Sequence, residues 1–327
     1  MALILLTGAG FSRNWGGWLA EEAFEYLLGC PELTPLHREL LWHYREKGGF
    51  EAVLEGLRTR TRYIANQNPT TGRELQSFDL MLIGMFNTMN AHFTEFEPGR
   101  HQGLGPQPSP VRDFLCRFDA IFTLNQDTFL ERKYFTSDIR QGSNGRFFRA
   151  YCPGLLEENV AETPYDTPGV FRPADPPYSL TDRAQPYFKL HGSSNWRALN
   201  GFSLVVMAND KNKQIDGIAL LDWYRGKFRE MIGAPDSKLL IIGYSFRDPH
   251  INEMIYQGTR TGLKIFIIDP IGLRALEDAD SVHPVVRSLA IDLQDHILGA
   301  SRRPFPGSIF SDQIERAKIQ RFLPLFP

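Results

Sequence analysis

The chain has 327 residues, 42% hydrophobic and 23% charged, with a formal net charge of −2. That size fits one elaborated domain or two small ones with an ordinary globular core, and a near-neutral balance without long Lys/Arg runs leaves no electrostatic footprint for nucleic acid. The three cysteines, Cys30, Cys116 and Cys152, form no C-x-x-C pair. This excludes a four-cysteine zinc site and a disulfide framework, and predicts three buried, inert thiols in a reducing compartment.

In chain order, Ala2 to Leu6 is a continuous apolar run ended by Thr7-Gly8-Ala9-Gly10, the pattern of a central parallel strand entering a Gly-rich turn. Leu19 to about Met89 reads as helix punctuated by Pro31, Pro35 and Gly48-Gly49. That is too much for one crossover and is expected to be a helical insertion over about 19–95. Gly99 to Pro110 reads as a loop. Phe118 to Leu124 is a second apolar strand, ending at Asn125-Gln126-Asp127. Residues 128–186 read as an irregular insertion, with room for a short hairpin. Tyr187 to Leu190 is a strand ending at His191-Gly192, and Ser203 to Met207 is another. Leu221 to Ile232 is an amphipathic helix. Lys238 to Ile242 is a strand ending at Gly243-Tyr244-Ser245, followed by a helix from Pro249. Leu263 to Ile268 is the last clear strand, ending at Asp269-Pro270. A helix is expected at Ser311 to Phe322, within a C-terminal tail of residues 301–327.

No apolar run approaches the roughly 20 residues that span a bilayer. The apolar start lacks a basic n-region and a cleavage site, so it predicts a buried strand rather than a secretory signal, in a cytoplasmic protein with no membrane contact. Apolar strands alternating with helices predict an α/β fold: a Rossmann-like, mainly parallel sheet with helices on both faces, as one domain over residues 1–300. In such sheets ligands sit beyond the carboxyl ends of the strands. The polar motifs all follow strands, so Gly8–Ser12, Asn125/Asp127, His191, Gly243/Ser245 and Asp269 should converge on one crevice.

Each motif has a chemical and a bland reading. Gly8-Ala9-Gly10-Phe11-Ser12 can cradle a pyrophosphate on backbone N–H groups, or be a tight turn; Arg13 leaves the G-x-G-x-x-G fingerprint incomplete. Asn125 and Asp127 can hold ribose hydroxyls and a carboxamide, or cap a helix over Thr128 to Tyr134. His191 titrates in the range of a general base, or is structural. Ser245 can meet a phosphate or ribose, while Asp248-Pro249 can start a helix. Asp269 can hold an adenosine ribose, or simply turn the chain before Pro270.

Taken in order, G-A-G-x-S (Gly8–Ser12), T-x-N-x-D (Thr123–Asp127), H-G (His191-Gly192), G-x-S (Gly243–Ser245) and a strand ending at Asp269 resemble the sirtuin family, over about residues 3–300. Lys189-Leu190-His191-Gly192-Ser193 and Ile242-Gly243-Tyr244-Ser245-Phe246-x-Asp248 look more narrowly like the sirtuin-like NADases of bacterial anti-phage defence. The resemblance implies that Gly8, Ala9, Gly10, Phe11 and Ser12 bind the pyrophosphate. It implies that Asn125 and Asp127 place the nicotinamide ribose and carboxamide, and that His191 is the base. It also implies that Gly243 and Ser245 line the phosphate and ribose pocket, and that Asp269 holds the adenosine ribose.

The departures matter. Deacylating sirtuins follow the glycine turn with Gly-Ile-Pro-Asp-Phe-Arg, where this chain has Arg13-Asn14-Trp15-Gly16-Gly17-Trp18. They also carry a four-cysteine zinc module after H-G, whereas all three cysteines here precede His191. The expectation is therefore an NAD⁺ glycohydrolase that uses NAD⁺ as substrate and no metal, releases nicotinamide and ADP-ribose, and serves anti-phage defence by depleting NAD⁺. An NAD or ADP-ribose sensor with little turnover, and a protein deacylase or ADP-ribosyltransferase, are the competing readings. Family resemblance further implies a homo-oligomer and a HerA-like ATPase partner, contacted through the helical insertion.

Overall fold

Continuous apolar runs become the middle of one parallel sheet. The computed structural model describes residues 2–64, 69–96, 109–135, 147, 149–158, 169–198, 203–206, 211–282 and 288–323. The strands are β1 (Leu3–Thr7), β2 (Ala120–Thr123), β3 (Arg149–Tyr151), β4 (Leu155–Glu158), β5 (Val170–Pro173), β6 (Ala184–Lys189), β7 (Gly192–Arg197), β8 (Ser203–Val205), β9 (Lys238–Ile242), β10 (Lys264–Ile268) and β11 (Ile297–Ser301). Seven of them form a sheet in the order β11-β10-β9-β1-β2-β6-β3, with every neighbouring pair parallel.

β1 lies in the interior, and the chain leaves it first toward β2 and later returns to β9 on its other side. The boundary between β1 and β9 is therefore the topological switch point, where open α/β sheets bind ligands. The register carries this further. Thr7 pairs with both Thr123 and Ile242, Thr123 with Lys189, and Ile242 with Ile268. These five residues form one row across the sheet. The residues that follow them, Gly8, Leu124, Leu190, Gly243 and Asp269, start five loops along one edge.

Alternation of side chains places Leu5 and Ile121 in the core on one face, and Ile4, Leu6, Ala120 and Phe122 in the core on the other. The first face is covered by helices Ala20–Leu28, Pro35–Tyr44, Gly49–Ile64 and Pro69–Ala91, all within residues 19–95. The second is covered by helices Ala219–Ile232, Pro249–Thr259, Arg274–Val282 and Leu289–Leu293. Burial on both faces is why these strands read as unbroken apolar runs. Among the described residues no helix is long and apolar enough to cross a membrane.

Several sequence expectations are corrected. Part of 128–186 is regular: β3 joins the main sheet beside β6, and β4 pairs antiparallel with β5. Ser203–Val205 is not a main-sheet strand; it pairs antiparallel with β7 in a second sheet, ordered β4-β5-β7-β8. Leu263 to Ile268 is not the last strand, because β11 extends the sheet beyond it. The helix expected at Ser311 to Phe322 is present as Gln313–Phe322, and it is packed down: Phe305, Ile309, Ile319 and Phe322 are buried in the first core, and the Lys238 ammonium bonds the Phe322 carbonyl at 2.6 Å. Of the cysteines, only Cys116 is fully buried, and all three are free thiols. The loop expected at Gly99 to Pro110 falls mostly outside the described residues, as do Met207 and much of 128–186.

Candidate active site

At the switch point, the first and fourth motifs lock together backbone to backbone. Gly8 N–H donates to the Ile242 carbonyl and Gly10 N–H to the Gly243 carbonyl, each at 3.0 Å. A Cβ on Gly243 would sit 2.4 Å from the Gly10 carbonyl carbon, and Gly243 also has a φ of +63°. Glycine is required there on both counts. The same contacts correct the simplest form of the cradle, because the N–H groups of Gly8, Gly10 and Phe11 are already bonded within the protein. Ala9 is exposed at the mouth of the turn, and Phe11 points into the core, stacked on Phe305 and tilted against Trp15.

One loop over, Ser12, Asn125 and Asp127 form a buried polar cluster. Asn125 Nδ2 donates to Ser12 Oγ at 2.9 Å, and both Ser12 and Asn125 hydrogen-bond the Asp127 carboxylate. Asp127 Oδ1 also accepts the Phe129 N–H at 2.9 Å, so the carboxylate caps the following helix (Phe129–Lys133) while facing Ser12 and Asn125. Burial pushes the Asp127 carboxyl above the ordinary range, and the Lys189 ammonium opposes that. Lys189 is wholly buried; it donates to the Asp127 carbonyl and pairs with Glu131 at 2.7 Å. It braces the Asn125–Asp127 loop from the end of the neighbouring strand.

His191 stands at the end of β6 with a buried ring. Its Nε2 lies 3.1 Å from Nε2 of His250, and the Leu124 carbonyl is its backbone hydrogen-bond partner. Burial, with the Lys211 ammonium nearby, holds the imidazole well below its ordinary pKa, so the ring is neutral at pH 7. Burial likewise takes His250 down to about 4. Beside them Asp248 accepts from Lys211 at 2.6 Å, and Lys211 reaches Glu51 of the helical insertion at 3.3 Å. Burial pushes the Asp248 carboxyl up, but the Lys211 ammonium outweighs it and holds the group at about 2.

The remaining motif residues stand apart. Ser245 is exposed. Asp269 turns its own loop, with Oδ1 accepting the Ile271 N–H at 3.0 Å. The structure thus joins Gly8, Gly10 and Gly243, joins Ser12, Asn125 and Asp127, and aligns His191 and Asp269 on the same edge. Sequence reasoning missed Lys189, Glu131, Lys211, Asp248 and His250. It took Asp248 for a helix-starting residue. Asp248 does hold the N-cap position, but its side chain makes no cap bond and turns to Lys211 instead. The one legible signal was a carboxylate and an imidazole two residues apart at a helix start. The expectation of no metal ligands meets a cluster of three, His191, Asp248 and His250, with ligand atoms all within 4.8 Å of one another.

This edge can be set beside known proteins. Residues 119–267 match the family model of a SIR2-like domain. The matched stretch runs from just before β2 to within β10, so it holds Asn125, Asp127, His191, Gly243 and Ser245. It leaves Gly8–Ser12 and Asp269 outside. No curated protein sequence matches the chain. Among solved structures, one from a study of the mechanism and regulation of Sir2 enzymes is 13% identical, covering 89% of this chain and 88% of its own, with a TM-score of 0.34. A mutant Sir2 homologue in complex with ADP-ribose is 14% identical, covering 99% and 93%, with a TM-score of 0.35.

Proposed function

We propose that the protein is an NAD⁺ glycohydrolase, cleaving the nicotinamide–ribose bond to give nicotinamide and ADP-ribose. One observation carries the reading: the in-register row of strand ends, which sets the Ser12–Asn125–Asp127 cluster and His191 on adjacent loops along the edge that holds the switch point. A polar cluster and a neutral imidazole at neighbouring strand ends supply what glycosidic cleavage needs. As the bond breaks, charge grows on the ribose as an oxocarbenium ion. Asn125 spends its amide donors on Ser12 and Asp127, which leaves Oδ1 to accept from a ribose hydroxyl or the attacking water. Asp127 accepts from the nicotinamide carboxamide. His191, neutral at pH 7, takes the proton as water adds. Gly8–Ser12 and Gly243/Ser245 line the pyrophosphate and ribose path, and Asp269 lies where the adenosine ribose of a dinucleotide would fall.

The SIR2-like match supports the dinucleotide class of substrate. The missing Pro-Asp-Phe-Arg segment and zinc module favour water over an acyl-peptide as acceptor. Depletion of NAD⁺ in anti-phage defence, with assembly into oligomers or with a HerA-like ATPase through the helical insertion, is the biological setting this reading entails.

The test is product analysis. Purified protein with NAD⁺ should release nicotinamide and ADP-ribose in equal amounts, and His191→Ala should lose about 10²–10⁴-fold of the rate. Equal rates in both proteins, or products on an acyl-peptide instead of water, would overturn the assignment.

A further inference from the structure

We propose that His191, Asp248 and His250 form a site for one divalent transition-metal cation, zinc(II) by its chemistry, and that filling it masks the base at His191. The masking rests on the hydrolase reading above; the cation site does not.

The two imidazoles face each other through Nε2 at 3.1 Å, and a carboxylate oxygen of Asp248 lies within 4.8 Å of both. Two nitrogens bound to one zinc at about 2.0–2.1 Å and a tetrahedral angle stand about 3.3 Å apart, so the observed spacing needs a shift of a few tenths of an ångström. The Leu124 carbonyl is a backbone hydrogen-bond partner of the His191 ring, and the tautomer that donates to it from Nδ1 has its lone pair on Nε2. A metal-binding histidine usually has this kind of backbone partner, which fixes its tautomer and aim. Burial keeps both rings neutral, the form that coordinates metal.

Two nitrogens and one oxygen select zinc and its first-row neighbours over calcium and magnesium, which take oxygen ligands. Three protein ligands with one open position match zinc sites that accept an exchangeable fourth ligand. His191 lies in the Leu190-His191 turn between β6 and β7, and Asp248 and His250 lie at the start of the helix Pro249–Thr259, Asp248 as its N-cap. The charges around them leave room for a cation: Asp248 and Glu51 outnumber Lys211 by one, and Arg225, whose charge also reaches His250, is matched by its own pair of carboxylates, Asp216 and Asp222. Lys211 touches both carboxylates, so its ammonium can stay on Glu51 while Asp248 turns to the metal. Coordination would occupy Nε2 of His191, the atom that accepts the proton, and leave the Ser12–Asn125–Asp127 side open to substrate.

The full chain, stripped of metal by chelator, would be titrated with Zn²⁺ by calorimetry at pH 7, without NAD⁺. One equivalent should bind, and His250→Ala and Asp248→Asn should each weaken it at least about ten-fold, with circular dichroism confirming the fold. Co²⁺ added to the wild type should give a visible absorption band that Zn²⁺ removes, a readout independent of any variant. No zinc binding, no cobalt band, or unchanged affinity in folded His250→Ala would overturn the site. Zinc binding by a protein that never hydrolyses NAD⁺ would leave the site standing and overturn the masking and the hydrolase reading.

Discussion

Asn125 Nδ2 donates to Ser12 Oγ at 2.9 Å across 113 residues of sequence, tying the turn after β1 to the end of β2. The bond holds the Asn125 amide in one orientation, and so decides which way its free oxygen faces. Ser12→Ala should therefore slow NAD⁺ hydrolysis by about ten-fold through kcat, the scale of one net hydrogen bond of about 1–1.5 kcal/mol. Ser12→Thr should restore part of the rate. Steady-state kinetics check this, and a change confined to KM would contradict it.

The glycine lock at the switch point gives a stability prediction. Gly243→Ala meets the Gly10 backbone at 2.4 Å with a φ of +63°, and should cost more than about 3 kcal/mol. Gly226→Ala supplies the control. It lies exposed inside helix Ala219–Ile232 with open space where its Cβ would go, and should stabilise by about 0.5–1 kcal/mol. Urea unfolding of the two variants should move in opposite directions.

Lys211 bridges two carboxylates, and its loss leaves the buried one uncompensated. Lys211→Met should cost about 3 kcal/mol, whereas Glu51→Gln, at the more open end, should cost no more than about 1 kcal/mol. Denaturant midpoints with matched slopes separate the two. Equal losses would show that the ammonium is held by solvent rather than by Asp248.

Burial raises the hydroxyls of Tyr134, Tyr187, Tyr224 and Tyr244 well above their ordinary value. A raised folded pKa means that the folded state keeps its protons longer than the unfolded chain. The stability concerned is thus whole below the unfolded value of about 10 and is lost as pH climbs past it. Tyr134 donates to Gln185 at 2.6 Å, so Tyr134→Phe should cost about 1 kcal/mol at pH 7. That deficit should shrink above pH 10, because one ionising group has been removed. A deficit that stays constant through that range would contradict the burial argument.

Much of this fold is legible in the sequence because a strand buried on both faces must be apolar throughout. Leu3–Thr7, Lys238–Ile242 and Lys264–Ile268 leave little choice. β7 is hidden for the opposite reason: Gly-Ser-Ser-Asn-Trp-Arg looks like loop, yet Ser193 and Ser194 are buried and satisfied, Ser193 Oγ by Asn195 at 2.8 Å and the Ser194 N–H by the Gln126 carbonyl at 2.9 Å. β11 is hidden because it is short, carries Gly299 in its middle and lies at the sheet edge with most of its residues partly exposed, so Ile-Leu-Gly-Ala-Ser does not stand out as a buried run. The motif residues announce themselves by following strands. Their partners do not: Glu51, Lys211 and His250 come together only through packing between distant elements, and no local spacing encodes it.

The most direct test of the hydrolase reading is nicotinamide release from NAD⁺ by the wild type beside Asn125→Ala, with both proteins shown to unfold at comparable denaturant concentrations. The account predicts stoichiometric nicotinamide and ADP-ribose from the wild type and a rate at least about 100-fold lower from the variant. Undiminished hydrolysis in a folded Asn125→Ala would place the chemistry elsewhere and contradict the account.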